Sequence, residues 1–359
     1  MSETPETWKA LLQAAHQSQR PTMIYVLGAI DTGKSTLCRF LHDHLQRHSA
    51  VAYIDCDPGQ STIGPPTTVG MTLQHRGREL LQAPLLRFVG STTPLGHLLP
   101  MLTGILRLAE KATAFQADYL ILDSSGFCLG RAAQEFQIHL LDLLHPAHIV
   151  ALQRGQELEP ILANFHRHPR MQIHRLPVSQ SVVPRMPPQR RSYREDRFRS
   201  YFAHARSYRL STDNLGLHGR IPAADPMNSR DLLIGLCDRE HFLLALGIVQ
   251  QIDWPILQIQ FLAPPFPVDK TAVVHFGSIH LDVSGVQLMG QRNTLHGGRS
   301  RYSMATVPRR EPEEKKTPSA KHPPAERKGH DARVPVSGKK SARHFGSASD
   351  ERGGSRAAD

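Results

Sequence analysis

The stretch Gly28-Ala-Ile-Asp-Thr-Gly-Lys-Ser35 constrains this chain more than any other. It reads G-x-x-x-x-G-K-S without a mismatch. Before it, Thr22-Met-Ile-Tyr-Val-Leu27 is apolar and β-branched enough for a buried strand. After it, Leu37, Phe40, Leu41 and Leu45 recur at helical spacing. A strand, a glycine loop and a helix in that order are the setting of a phosphate-binding P-loop. Such a loop wraps backbone N–H groups around a polyphosphate, and the helix N-terminus adds partial positive charge. The expected nucleotide-binding residues are therefore Gly28, Ala29, Ile30, Asp31, Thr32, Gly33, Lys34, Ser35 and Thr36. Lys34 is expected on the β- and γ-phosphates, and the Ser35 hydroxyl on Mg²⁺.

The bulk of the sequence sets limits on the rest. A chain of 359 residues has room for two domains. No run of eighteen apolar residues exists, so no membrane span is expected. The N-terminus, Met1-Ser-Glu-Thr-Pro-Glu-Thr-Trp8, is acidic and does not read as a secretory signal. Cys38, Cys56, Cys128 and Cys237 lie far apart with no C-x-x-C, which points to reduced thiols and a cytoplasmic protein. The 21 histidines are scattered, and none forms an H-E-x-x-H ligand spacing. The net charge of +11 suggests nucleic acid, but its position matters. From Arg301 onward there are 14 Lys/Arg against 8 Asp/Glu, so more than half of the excess sits in the C-terminal stretch.

Three carboxylates compete for the chemistry. Ala50-Val-Ala-Tyr-Ile-Asp-Cys-Asp57 reads as a strand ending in Asp55 and Asp57, turned sharply by Pro58-Gly-Gln60. Residues two apart on a strand point the same way. The carboxyl ends of strands are where open α/β sheets bind ligands. Asp118-Tyr-Leu-Ile-Leu-Asp123 is a second buried strand with a terminal carboxylate. One of Asp55, Asp57 and Asp123 can serve Mg²⁺ and another can deprotonate an attacking hydroxyl.

Strand and helix patterns alternate through residue 176, which predicts a doubly wound parallel α/β sheet. An N-terminal helix over 1–20 precedes a P-loop domain over 21–209. Near 185–202 the chain turns basic, and Arg190, Arg194 and Arg197 share one helical face. Guanidinium groups on one side suit phosphate oxygens, so this segment is expected to be a lid over a triphosphate. Residues 210–290 read as a smaller β-rich domain, sandwich- or barrel-like. Residues 291–359 read as a disordered basic tail.

Four blocks in this order resemble a known family, the polynucleotide 5′-hydroxyl kinases of RNA processing. They are the P-loop at 28–36, Asp55-Cys-Asp-Pro-Gly-Gln60 like the family's D-x-D-x-G-Q, Ser124-Ser-Gly-Phe127 in the place of T-x-G-W, and Arg190 to Phe202 like its arginine-rich lid. Phe88-Val-Gly-Ser-Thr-Thr-Pro-Leu-Gly-His97 is similar to a segment of the rRNA-processing branch. The compact layout, without the N-terminal domain of eukaryotic members, resembles archaeal and bacterial members. The resemblance implies transfer of the γ-phosphoryl of ATP, or another NTP, to the 5′-OH end of RNA or DNA, with Mg²⁺ as cofactor. It implies Asp57 as general base and Lys34 and Ser35 on phosphate and Mg²⁺. It places Gln60 and Phe127 around the terminal base, and Arg190, Arg194 and Arg197 on the transferring group. Phe127 replaces the family's usual Trp and Ser124 its Thr, which keeps a stacking face. The implied partners are 5′-OH ends and proteins of RNA processing or repair. Two rival readings stand beside this one. A GTPase would carry N-K-x-D, which the sequence lacks. An ATP-binding scaffold without turnover would not need Lys34, Ser35 and Asp57 together.

Overall fold

The computed structural model describes residues 5–222, 229–282 and 284–288. The stretch 291–359, expected as a basic tail, lies outside the described residues. Helix α1 (Glu6–Gln17) leads into β1 (Thr22–Gly28), the glycine loop and α2 (Lys34–Leu45). Then come β2 (Val51–Cys56), β3 (Thr68–His75), β4 (Arg78–Glu79) and β5 (Leu85–Phe88). The alternation resumes with α3 (Leu98–Ala114), β6 (Tyr119–Ser124), α4 (Arg131–Leu144), β7 (His148–Gln153), α5 (Glu159–Leu162) and β8 (Gln172–Pro177).

The parallel core of the first sheet has the order β2-β6-β1-β7-β8. Alternate residues of β1 face opposite ways, as a strand requires. Ile24 and Val26 pack on α1 and α2 with Leu11, Leu37 and Leu41, while Tyr25 and Leu27 pack on α3 and α4 with Ile105 and Leu140. Helices on both faces give the doubly wound α/β class that the alternation predicts. The sheet is mixed rather than wholly parallel, however, because β3 runs antiparallel to β2, and β4 and β5 run antiparallel to β3. The connection after β2 explains this. A parallel return needs a long crossover, usually a helix. Ser61-Thr-Ile-Gly-Pro-Pro66 cannot supply one, so the chain doubles back. Helix α5 is a single turn, Glu159–Leu162, and Phe165 stays buried beyond it.

Helix α6 (Pro187–Phe202) then carries the chain into a second sheet. Its strands are β9 (Arg206–Ser211), β10 (Gly216–Gly219), β11 (Leu232–Cys237), β12 (Leu243–Asp253), β13 (Gln258–Ala263), β14 (Val273–Leu281) and β15 (Gln287–Leu288). They form one sheet of order β10-β14-β11-β12-β13-β9, with β15 on β14, and only the β10–β14 pair is parallel. One face gathers Ile234, Val249, Phe261 and Phe276. The other packs Leu233, Leu246 and Ile248 on Phe198 and Phe202 of α6 and on Phe88 of β5. Burying a phenylalanine stabilises by roughly 1.5–3 kcal/mol. Phe198 and Phe202 therefore anchor α6 firmly, and the opposite side of the helix is left for the site.

Away from the site, His148 of β7 is buried with its Nδ1 3.0 Å from His174 Nε2 and its Nε2 2.8 Å from Ser18 Oγ. Burial first, and the His174 ring second, hold its pKa down to about 4. The unfolded imidazole titrates near 6.5. The fold therefore favours the neutral ring, and its contribution is complete above pH 6.5 and lost as pH falls toward 4. The loss approaches about 3 kcal/mol by linkage. Urea midpoints should fall between pH 7 and pH 4.5, and His148→Gln should make that fall shallower. An equal slope in the variant would contradict this account.

Candidate active site

A cavity of about 1160 Å³ opens at the carboxyl ends of β1, β2 and β6. The fold brings separate stretches to it: residues 5–8, the glycine loop into α2, 55–62, 92–94, 123–127, Leu152 at the end of β7 and the segment from 177 into α6. Ile30, Asp31, Thr32, Gly33, Lys34, Ser35 and Thr36 all line it, with Gly28 and Ala29 forming the turn beneath. A side chain at Gly28 would meet Thr32 Oγ1 at 2.6 Å and Leu152 O at 2.8 Å, so the turn closes only around glycine. Gly33 has φ +90°, a conformation that L side chains rarely adopt. It sits at the start of α2, whose first N–H groups have no partner inside the helix. Lys34 is buried, and Nζ donates to Ala29 O at 2.7 Å. An ammonium has three hydrogens, so two remain for an anion in the cavity.

The three carboxylates have different surroundings. Asp55 is buried, and both its oxygens are engaged. Oδ1 accepts the Asp57 N–H at 3.0 Å, and Oδ2 accepts the Thr62 N–H at 2.6 Å and the Thr62 hydroxyl at 2.9 Å. Burial, and next the neighbouring Asp123, push its pKa up to about 7. Asp55 therefore holds the turn that carries Asp57, and direct metal ligation would sacrifice those bonds. Asp123 lies beside Asp55 in the β2–β6 register. Its Oδ2 accepts the Tyr53 hydroxyl at 2.9 Å, and the Ser35 hydroxyl faces the same carboxyl. Its Oδ1 is buried without a partner. Burial raises its pKa, with Ser35 and Lys34 opposing. An orphaned buried carboxylate oxygen beside a hydroxyl fits a hard cation such as Mg²⁺, so Ser35 and Asp123 are the residues that would hold it. Such an ion would neutralise charge on phosphate oxygens.

Asp57 lines the cavity half-buried, and its Oδ1 accepts the N–H groups of Gly59 at 2.8 Å and Gln60 at 3.0 Å. Those bonds fix the carboxylate's orientation. Gln60 and Phe127, the expected base clamp, line the same cavity. Gln60 Nε2 donates to Gly59 O at 2.9 Å, and the Phe127 ring packs 6.3 Å from Phe136.

The arginines of α6 divide by role. Arg190 pairs with Asp31 of the glycine loop at 2.6 Å, which ties the helix to the loop. Arg194 lines the cavity and forms no ion pair among the described residues, and burial lowers its pKa. It is a cation with free donors. Arg197 does not line the cavity. Its Nη2 donates to Gly64 O at 2.7 Å and Thr62 O at 3.4 Å, and Tyr193 donates to Ser61 O at 2.8 Å. These bonds join α6 to the 61–64 loop, which in turn is bonded to Asp55. Tyr193, Thr62 and Arg185 were legible in sequence only as parts of a basic helix and a Thr/Gly/Pro loop. Arg185 donates its backbone N–H to Asp31 at 2.9 Å. Trp8 also lines the cavity and had no motif to mark it, while Thr92 and Thr93 line it from within the 88–97 segment, whose resemblance gave them no role.

The glycine loop, the terminal carboxylate of the adjacent strand and the strand order together define a P-loop nucleotide-binding fold. Residues 28–204 match the family described as mRNA cleavage and polyadenylation factor CLP1 P-loop, and this part of the chain belongs to that family. The chain is 27% identical to a polyribonucleotide 5′-hydroxyl-kinase of Pyrococcus furiosus over 342 residues, covering 80% of this chain and 95% of that protein. It is 25% identical to one of Methanocaldococcus jannaschii over 345 residues, covering 80% and 94%. The polyribonucleotide 5′-hydroxyl-kinase Clp1 of Gallus gallus is 28% identical over 214 residues, covering 53% of this chain and 47% of that protein. Among solved structures, a chain of the wild-type Clp1p–Pcf11p complex has a TM-score of 0.59 at 15% identity, covering 77% of this chain and 79% of that one. That likeness concerns the fold.

Proposed function

We propose that this protein is a polynucleotide 5′-hydroxyl kinase that transfers the γ-phosphoryl of ATP to the 5′-OH end of RNA or DNA. The observation that carries this reading is one cavity holding both halves of the reaction. Lys34, Ser35, Asp123 and Arg194 suit a triphosphate, and Asp57, Gln60 and Phe127 suit an acceptor that bears a hydroxyl and a base. The archaeal relatives named as polyribonucleotide 5′-hydroxyl-kinases support it over most of the chain.

The chain's own residues then act as follows. The glycine loop and Lys34 hold the donor phosphates, and the space toward Trp8 and Arg39 takes the nucleoside. Asp57 accepts the proton of the 5′-hydroxyl as its oxygen bonds to the γ-phosphorus. The bond from that phosphorus to the β-γ bridging oxygen breaks, and ADP leaves. Arg194 faces the charge that builds on the transferring oxygens, the main device of phosphoryl transfer. Arg190 holds the helix at the loop through Asp31. Mg²⁺, held by Ser35 and Asp123, would supply the remaining charge compensation. By likeness to the Clp1p–Pcf11p complex, RNA-processing proteins are the expected partners. No helix among the described residues is long and apolar enough to cross a membrane.

The test is an end-labelling gel with γ-labelled ATP, Mg²⁺ and matched 5′-OH RNA and DNA oligonucleotides. Label on the 5′ end is expected, and its distribution reports the preferred sugar. ATP binding with no label on either acceptor would overturn the reading in favour of a non-catalytic scaffold or a small-molecule acceptor.

A further inference from the structure

One cluster of basic groups lies outside the cavity and has no part in the chemistry above. A pocket of about 150 Å³ opens between β5, the start of α3 and the second sheet. Arg87, Thr103, His218, His241 and His275 supply most of its polar lining, and no carboxylate among the described residues lines it. Phe88, Leu99 and Pro100 give it an apolar wall.

Arg87 is the unusual member. It is half-buried, its Nη1 donates to Glu240 O at 2.7 Å, and its guanidinium lies 5.4 Å from the centre of the Phe242 ring. A guanidinium has five N–H donors, and that carbonyl takes only one. Arg87 forms no ion pair among the described residues. The nearby carboxylates are already engaged. Asp238 Oδ1 accepts the N–H groups of Glu240 and Phe242, and Glu240 is paired with Lys111 at 2.8 Å. The other neighbours are bases. The His218 and His275 rings lie 4.3 Å apart, and Arg107 and His97 add to the field. Burial first, then His218, His241 and Arg87, hold the His275 pKa down to about 3. A desolvated cation without a counter-ion is costly, and an anion with several acceptor oxygens relieves it.

The pocket also has a direct connection to the acceptor side. A single stretch, from Phe88 to Pro100, walls both places. Thr92, Thr93 and Pro94 line the large cavity, and Phe88, Leu99 and Pro100 line the small one. The loop is fixed between them, since Ser278 donates its N–H to Gly90 O at 2.8 Å. The 88–100 stretch thus runs from the acceptor side of the large cavity to this pocket.

We propose that the pocket formed by Arg87, His218, His241 and His275 is a second phosphate subsite. It takes a backbone phosphodiester of the acceptor strand, downstream of the 5′-hydroxyl nucleotide. This rests on the acceptor reading of the cavity, so its test is a binding measurement that needs no turnover. Fluorescence anisotropy with a 5′-OH ten-nucleotide RNA, without ATP, is measured over a salt series. Arg87→Gln should weaken binding about tenfold, the scale of one charged hydrogen bond. It should also lower the salt slope by about one unit. Arg87 also supports the 238–242 turn, so His218→Gln/His241→Gln, both exposed, serves as a second variant and should weaken binding about threefold. Inorganic phosphate should compete with the wild type at millimolar levels and lose that effect in Arg87→Gln.

In labelling assays, both variants should raise KM for the ten-nucleotide acceptor and leave kcat at saturation unchanged. Unchanged affinity and salt slope in folded variants, with wild-type labelling intact, would overturn the subsite alone. A wild type that binds no oligonucleotide would overturn the subsite and the acceptor reading together. Competition by phosphate with no effect of either variant on RNA affinity would show a free-anion site and overturn the strand assignment.

Discussion

Lys34→Ala should reduce phosphoryl transfer by at least about 10²–10³-fold, the scale of removing one electrostatic donor from a transferring group. The ammonium is buried beneath the cavity floor and bonded to Ala29 O, which aims it at the space the glycine loop encloses. Among the described residues, no other ammonium lines the cavity. Arg194 enters from α6 on the opposite element, and its longer planar head does not substitute for a compact charge inside the loop. Single-turnover labelling at saturating ATP separates lost chemistry from weakened binding. The substitution also leaves the Ala29 carbonyl without its donor, so the melting temperature must be measured on the same preparation. A folded variant with wild-type turnover would remove the glycine loop from the mechanism.

Asp57→Asn should cut kcat by about 10²–10⁴-fold, the range for losing a general base, while ATP affinity stays within a few-fold of the wild type. The turn should survive, because an amide oxygen can still accept the Gly59 and Gln60 N–H groups. Asp123→Asn should behave differently. It removes charge beside Ser35 at an otherwise unpartnered buried oxygen, so the Mg²⁺ requirement should shift upward. Titrating Mg²⁺ against labelling rate for both variants distinguishes them. Rescue of Asp57→Asn by excess Mg²⁺, with none for Asp123→Asn, would exchange the two roles. Asp55 belongs to neither group. Its substitution should loosen the 55–62 turn and, through Thr62, the seat of α6.

The glycine loop, its strand and its helix were legible from sequence because each depends on local rules: residues that tolerate the turn, apolar alternation and helical spacing. The α/β class followed for the same reason. The antiparallel β3–β5 extension was less legible, since β4 and β5 are short and little buried and the direction of β3 depends on a loop too rich in Gly and Pro for a crossover helix. The carboxylates were visible as three candidates. Their separation into a turn holder, a half-buried carboxylate that lines the cavity and a buried one with an unpartnered oxygen required the hydrogen bonds of Thr62, Gly59 and Tyr53.

The arginine helix shows the same limit from another side. Helical spacing grouped Arg190, Arg194 and Arg197, yet their partners are Asp31, the open cavity and the carbonyls of Thr62 and Gly64. Spacing sets which side chains share a face, but not what that face meets. The histidines at 218, 241 and 275 are dispersed in sequence and gather around Arg87 only because β5 and the second sheet share one core. The sequence by itself thus determined the phosphate loop, the layered class and the list of groups able to carry charge or protons. Tertiary structure alone decided which of those groups are desolvated, which are already bonded and which remain free. The physical reason is that burial and partnering arise from contacts between distant segments, and these set both the charge state and the availability of each side chain.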